Sequence, residues 1–206
     1  MKQDIVENHK HYLKRLDFYK SFGYDLEKER DFVYRMALPF TGRILEIGTG
    51  KGHFTLALAA QGFRFTTIDI SDQDQITAKL NLRYFGLEKQ VKMIIADAQK
   101  TGFPDKHFDT IFSVNVLHHL RNPKAVLSEI TRILGPCGKV VLCDFNKKGM
   151  DIINRCHAHE GKKHDSYGCC LDDAEKYFLK KSFTVSRFHG GTQEGVIAVP
   201  RQRVET

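Results

Sequence analysis

The stretch Arg43–Ala59, "RILEIGTGKGHFTLALA", decides how this chain is read. A short apolar run leads into Gly48, Gly50 and Gly52 at alternate positions, and an apolar segment of helical length follows. A strand that passes through a glycine loop into a helix lets the backbone turn tightly and lets a ligand approach the helix amino terminus. A dinucleotide would suit such a loop, but two details argue against one. His53 stands where the dinucleotide fingerprint wants its third glycine, and Glu46 stands beside the loop. A carboxylate there repels a pyrophosphate and welcomes a cation.

Working outward, short apolar runs at 43–47, 64–69, 91–95, 108–114 and 138–145 alternate with amphipathic segments, the signature of βαβ units around a parallel sheet. Helices are predicted over 73–85, with Ser71 and Asp74 in a capping arrangement and Ile76, Leu80 and Phe85 buried, over 123–134 behind Asn122 and Pro123, and near 171–181. Two apolar runs flanking "HGGTQEG" predict a closing antiparallel hairpin. Ahead of the glycine loop, 4–21 and 25–37 read as helices separated at Gly23 and ended by Pro39. The expected organisation is an N-terminal helical cap over 1–40 and one α/β domain over 41–206, with an insertion at 146–181.

Two more acidic positions follow the second and third predicted strands. Asp69, in "FTTIDIS", is placed to accept hydrogen bonds from both hydroxyls of a ribose. Asp97, in "IIADAQ" with Ala98 beside it, can accept from an exocyclic amine such as that of adenine. With Glu46 they set three carboxylates at the ends of adjacent strands around a glycine loop. A positively charged adenosyl ligand fits that pattern better than a polyphosphate.

These residues resemble the class I S-adenosylmethionine-dependent methyltransferases, particularly the branch acting on small molecules. The matching motifs, in order, are "LEIGTGKG", "IDIS", "ADAQKTGFPDKHFDTIFSVNVLHHL" and "LGPCGKVVLCDF", spanning roughly residues 42–145. The resemblance implies a Rossmann-like three-layer sandwich whose seven-stranded, mostly parallel sheet ends in the antiparallel hairpin. It implies S-adenosyl-L-methionine as cofactor, bound at the loop of Gly48, Gly50 and Gly52, with Glu46 and the backbone around Gly48 and Gly50 on the methionine moiety, Asp69 on the ribose, Ile70, Asp97 and Ala98 on the adenine, and Asn115 near the methyl group. His118 and His119, in "NVLHHL", are the candidate bases for an acceptor that must lose a proton. No Asn/Asp-Pro-Pro-Tyr type motif is present, which argues against adenine or amide nitrogen as acceptor.

The segment "CHAHEGKKHDSYGCC" lies in the insertion where this family builds its acceptor pocket. Cys156, His157, His159, His164, Cys169 and Cys170 could ligate a thiophilic metal, but their spacing matches no ordinary zinc motif. A polar, mobile lid is expected there, a loop rather than a helix, and no metal site is assigned. Tyr12 and Tyr19, seven apart on one helix face, are expected to pack against the sheet or help shape the acceptor site.

Bulk properties agree with one domain: 206 residues, 41% of them hydrophobic, allow one well-buried core but hardly two. The net charge of +7 raises nucleic acid as a partner, yet the surplus is spread thinly over the chain, so a small-molecule acceptor is expected instead. No run approaches the ~18 apolar residues of a membrane span and the amino terminus is too polar for a secretory signal, so a cytoplasmic protein is expected. Five cysteines, an odd number, suit reduced thiols. Rival readings are an RNA or protein methyltransferase, a catalytically silent adenosyl- or metal-binding regulator, and an oxidoreductase; nothing in the sequence bears on oligomeric state.

Overall fold

The four residues of β1 (Ile44–Ile47) are buried on both faces, as a central strand of a parallel sheet must be. In the computed structural model, which describes residues 2–163, 166–167 and 170–201, β1 pairs in parallel with β2 (Phe65–Asp69) on one side and β4 (Phe108–Val114) on the other. Beyond β2 lies β3 (Val91–Ile95), and beyond β4 lies β5 (Leu134–Phe145). The predicted hairpin forms as β6 (Phe183–His189) and β7 (Gln193–Pro200), with β7 antiparallel to both β5 and β6. The resulting order is β3-β2-β1-β4-β5-β7-β6. This is the expected Rossmann-like architecture.

Side-chain alternation along the strands divides the core between two layers. On one face Leu45, Ile47, Ile111 and Leu142 pack with Ile130 of α5 (Pro123–Ile133) and Phe178 of α7 (Leu171–Lys180). On the other, Ile44, Phe112 and Val141 pack with Val33 of α2 (Leu26–Ala37) and with Phe54 and Leu58 of α3 (His53–Ala60). Glu46 alternates onto this second face. Across the top of the second layer runs α1 (Lys2–Ser21), tied to α4 (Asp72–Tyr84) by Asn8 Nδ2 donating to Asn81 Oδ1 at 2.7 Å and by His9 stacked on Tyr84.

Local signals set the helix ends. Ser71 accepts from the Asp74 amide at 3.2 Å, and Asn122 accepts from the Ala125 amide at 3.3 Å ahead of Pro123. Two expectations need correction. In α4 the buried positions are Gln75, Ala78, Asn81 and Leu82, whereas Ile76 and Phe85 are about half exposed. The helix is rotated because Gln75 and Asn81 find polar partners inside: Gln75 donates to Thr49 Oγ1 and the Ile94 carbonyl, and Asn81 donates to the Lys51 carbonyl.

The second correction concerns the cysteine and histidine segment, where a loop was expected. Helix α6 (Lys147–His159) runs through Cys156, His157 and His159. Asn146 starts it by accepting from the Gly149 amide, and Ile152, Ile153 and Cys156 form its buried stripe. Arg15 pairs with Glu160 just past its end. Cys170 sits at the start of α7, while His164 and Cys169 lie outside the described residues.

Glu129 of α5 anchors the segment that follows β3. Its Oε1 accepts from the Thr101 amide at 2.8 Å and the Thr101 hydroxyl at 2.6 Å, and both of its oxygens accept from Arg132. The Arg132 bonds, working against partial burial, hold its carboxyl down to about 2. A carboxyl depressed below its unfolded value of about 4.3 stabilises the fold above that pH, and the contribution is lost as pH falls toward 2. Glu129→Ala is expected to cost about 1.5 to 3 kcal/mol in denaturant unfolding at neutral pH, and the deficit should shrink on acidification below pH ~4.

Candidate active site

Sheet order reverses between β1 and β4, and a crevice opens beyond the carboxyl ends of strands at such a switch point. Here it is a cleft of about 710 Å³. Its lining includes Glu46, Gly48, Gly50, Asp69, Ile70, Asp97, Ala98, Asn115 and His119, nearly all of the residues singled out from the sequence. Gly52 and His118 are not among them. Gly52 faces Ala78 of α4, whose Cβ would lie 2.8 Å from a side chain added there, so the close packing at the start of α3 calls for glycine.

The glycine loop is shaped by left-handed turns at Gly48 (φ +88°) and Gly50 (φ +48°). A Cβ at Gly48 would strike Val116 at 2.2 Å, whereas the space over Gly50 is open. The Gly50 amide donates to Asp69 Oδ2 at 2.7 Å, and the Ser71 amide donates to Asp69 Oδ1 at 2.9 Å. Asp69 therefore ties the loop to the end of β2 while each oxygen keeps a second lone pair for a ligand. Asp97 accepts from the Gln99 amide at 2.8 Å, an arrangement that fixes the carboxylate at the rim. Ile70 is 74% exposed, an uncovered apolar side chain beside two carboxylates.

Glu46 is almost wholly buried, with Thr55 Oγ1 donating to its Oε2 at 2.7 Å. Burial raises its carboxyl to about 7 despite hydroxyl donors and the charge of Arg30. Arg30 is a cleft residue that the sequence reading missed, and the buried Tyr24 is its partner. Arg30 Nη1 donates to Tyr24 Oη at 3.3 Å, and the Asn115 amide is satisfied at both ends when its oxygen accepts from Arg30 Nη2 at 2.9 Å. Gln193 Nε2 of β7 donates to Tyr24 Oη at 2.7 Å. One signal could have found Arg30: it shares the spacing of Leu26, Val33 and Ala37 along the buried stripe of α2.

Asn115 itself is left-handed, φ +58°, a conformation asparagine tolerates better than most side chains. Past it, a turn of 3₁₀ helix carries Leu117–His119. His118 is buried and held at two points by Asp144 at the end of β5: Nδ1 lies 2.6 Å from Oδ1, and its amide donates to Oδ2 at 3.1 Å. His119, its ring centroid 4.0 Å from that of His118, faces the cleft. Tyr167 reaches the same cleft from the insertion, where its amide donates to the His118 carbonyl at 2.8 Å. Among the described residues no group of three or more His, Cys, Asp or Glu side chains gathers to hold a metal ion. No helix of the described residues is long and apolar enough to cross a membrane.

Residues 45–142 match a family model described as a methyltransferase domain. Over that span the chain is similar to the S-adenosylmethionine-dependent methyltransferases. It is 30% identical over 126 residues to a sterol 4-C-methyltransferase of Caenorhabditis elegans, covering 61% of this chain and 37% of that protein. Over 122 residues it is 30% identical to a demethylmenaquinone methyltransferase of Clavibacter sepedonicus, covering 59% and 49%. The chain thus spans less than half the length of either relative. In fold it is similar to a solved SAM-dependent methyltransferase of Aquifex aeolicus, with TM-score 0.63 and 20% identity over 85% of this chain and 89% of that one.

The Glu46 carboxyl gives this cleft a pH signature. A bound cation favours the ionised form, so the affinity for S-adenosylhomocysteine, whose amino group is cationic, should rise by up to tenfold per unit up to about pH 7 and level off above it. Calorimetric titration across that range should show proton release below the inflection, and Glu46→Gln should remove the slope.

Proposed function

We propose that this chain transfers a methyl group from S-adenosyl-L-methionine to a small-molecule acceptor. The observation that carries the reading is the glycine-lined cleft with Glu46, Asp69 and Asp97 at the ends of three successive strands. Its chemistry fits the cofactor: a buried carboxylate for the cationic end, Asp69 for the ribose hydroxyls, and the exposed Ile70 with Ala98 and Asp97 for the adenine. Arg30 supplies the charge that would meet the methionine carboxylate. When bound, the cofactor supplies a methyl group already activated on a sulfonium.

What remains for the protein is to align an acceptor and exclude water, which proximity can make worth up to roughly 7 to 11 kcal/mol. Helices α1 and α2 on one side and the 146–181 insertion on the other are the proposed acceptor-side walls, with Tyr167 as the insertion's contribution to the cleft. An oxygen, thiol or carbon-acid acceptor gives up a proton as the methyl arrives. His119 is the proposed group that takes it, with the His118–Asp144 pair fixing the turn on which it sits. The named activities of the two relatives, on a sterol and on demethylmenaquinone, support a small molecule as acceptor. Carboxylates from Glu46, Asp69, Asp74 and Asp97 about the cleft argue against a phosphodiester there.

Three measurements test this. Calorimetry should register S-adenosylhomocysteine and no response to NAD, and Asp69→Ala should weaken the former by about 1 to 3 kcal/mol as the ribose loses a charged acceptor. Incubation with methyl-labelled cofactor and fractionated cell extract should place label in the small-molecule fraction; label confined to RNA or protein would overturn the acceptor class. With the acceptor so identified, His119→Ala should lower kcat about 100-fold while leaving S-adenosylhomocysteine affinity unchanged.

A further inference from the structure

A second cavity, of about 280 Å³, lies behind the glycine loop between α2 and α3. Its walls are one stripe of each helix, Glu27, Arg30, Asp31 and Tyr34 facing His53 and Leu56, with Tyr12 and Phe85 closing the end. Arg30 and His53 line both this cavity and the cofactor cleft, so they form the partition between the two.

The partition has polar atoms that the fold leaves unused. His53 Nδ1 and Arg30 Nε are buried and make no hydrogen bond. The outer nitrogens of Arg30 turn toward Tyr24 and Asn115, so its charge is engaged on the cofactor side. Burial, with help from neighbouring cations, lowers His53 to about 3, so its ring is neutral and stacks on Tyr12 with centroids 5.5 Å apart. On the other side stand two carboxylates a helical turn apart. Asp31 pairs with Arg35 at 2.8 Å, whereas Glu27 has no ion-pair partner among the described residues. Burial, and then the charge of Glu27, pushes the Tyr12 hydroxyl up to about 12, which puts that carboxylate within electrostatic reach of the aromatic wall.

Three aromatic side chains and an uncommitted carboxylate around a small hollow are the elements of a site for an organic cation: ring faces attract the charge, and the carboxylate supplies its counter-ion. We infer that the cavity lined by Tyr12, Tyr34, Phe85 and Glu27 is a second ligand site, for a small amine or ammonium compound with an apolar body, separate from the cofactor cleft. The ligand's ring or methyl groups rest against Tyr12, Tyr34 and Phe85, its nitrogen faces Glu27 and Asp31, and a polar substituent at its inner end can reach Arg30 Nε or His53 Nδ1. The site does not depend on methyl transfer, because it is built outside the acidic cleft.

A charge series on one ring tests it: benzylamine, benzyl alcohol and benzoate, each titrated into the full chain with saturating S-adenosylhomocysteine, followed by NMR of the tyrosine and phenylalanine rings. Benzylamine should bind with the cofactor product in place, at least tenfold more tightly than benzyl alcohol, with benzoate weakest. Glu27→Gln, at an exposed position, should weaken it at least fivefold, as should Phe85→Ala, at a half-exposed one; neither should alter S-adenosylhomocysteine affinity. Equal binding of alcohol and amine, displacement of benzylamine by S-adenosylhomocysteine, or indifference to both substitutions would each overturn the assignment. Loss of S-adenosylhomocysteine binding by the unaltered chain would instead overturn the methyltransferase reading and leave this one standing.

Discussion

A carboxylate buried at the tip of the central strand is the constraint on which the site is built. Removing a charge from water costs several kcal/mol unless it is paired or neutralised, and Glu46 answers by titrating near neutrality and by drawing a hydroxyl bond from Thr55. It is held there because β1 is covered on both faces and its parallel neighbours fix the register. The same alternation that sends Leu45 and Ile47 into one layer sends Glu46 toward α3. A group so placed is a poor contributor to stability and a good receptor for a cation. The cost of its burial is offset when a positive ligand arrives, which makes binding, rather than folding, the event that uses its charge.

The rest of the cleft follows from where the chain reverses direction. With β2 and β3 on one side of β1 and β4 and β5 on the other, connections leave the switch point in opposite directions and leave a crevice between them. Asp69 and Asp97 end the strands on one side, and Asn115 and His119 follow the strand on the other. Gly48 is needed because Val116, from across the switch point, occupies the volume any side chain would take. Loop shape and strand order thus determine each other.

Much of this could be read from the residues alone. Strand positions, the glycine loop and the carboxylates at strand ends are encoded locally, by apolar runs and by residues whose backbone freedom or charge has few alternative uses. Features that depend on rotation about a helix axis were less legible. The helix α4 pattern offers Ile76 and Phe85 as core residues, but Gln75 and Asn81 turn inward because the glycine loop presents them with Thr49 Oγ1 and the Lys51 carbonyl. Helix α6 was obscured because histidine and glycine near its end resemble loop composition, while its apolar stripe of Ile152, Ile153 and Cys156 spans little more than one turn. Arg30 was hidden for the opposite reason: amid "EKERDF" it looks like one more solvated charge, and its partners Tyr24 and, over 80 residues away, Asn115 bring it inside.

Those partners explain why both ends of the chain bear on the centre. Tyr24 precedes α2, Asn115 follows β4 and Gln193 opens β7, yet their polar groups converge around one phenol oxygen, and Cys143 of β5 donates to Gln193 Oε1 at 3.0 Å. Asn115 holds a left-handed backbone that costs on the order of 1 kcal/mol, and the surrounding bonds over-determine it. A network of this kind is satisfied only when the helices, the parallel sheet and the hairpin are all docked. The end of the cleft around Arg30 and Asn115 is therefore complete only when elements far apart in sequence are in place. Its geometry reports the completeness of the whole fold, whereas the end made by Asp69 and the glycine loop is fixed more locally, by β1, β2, α4 and Val116.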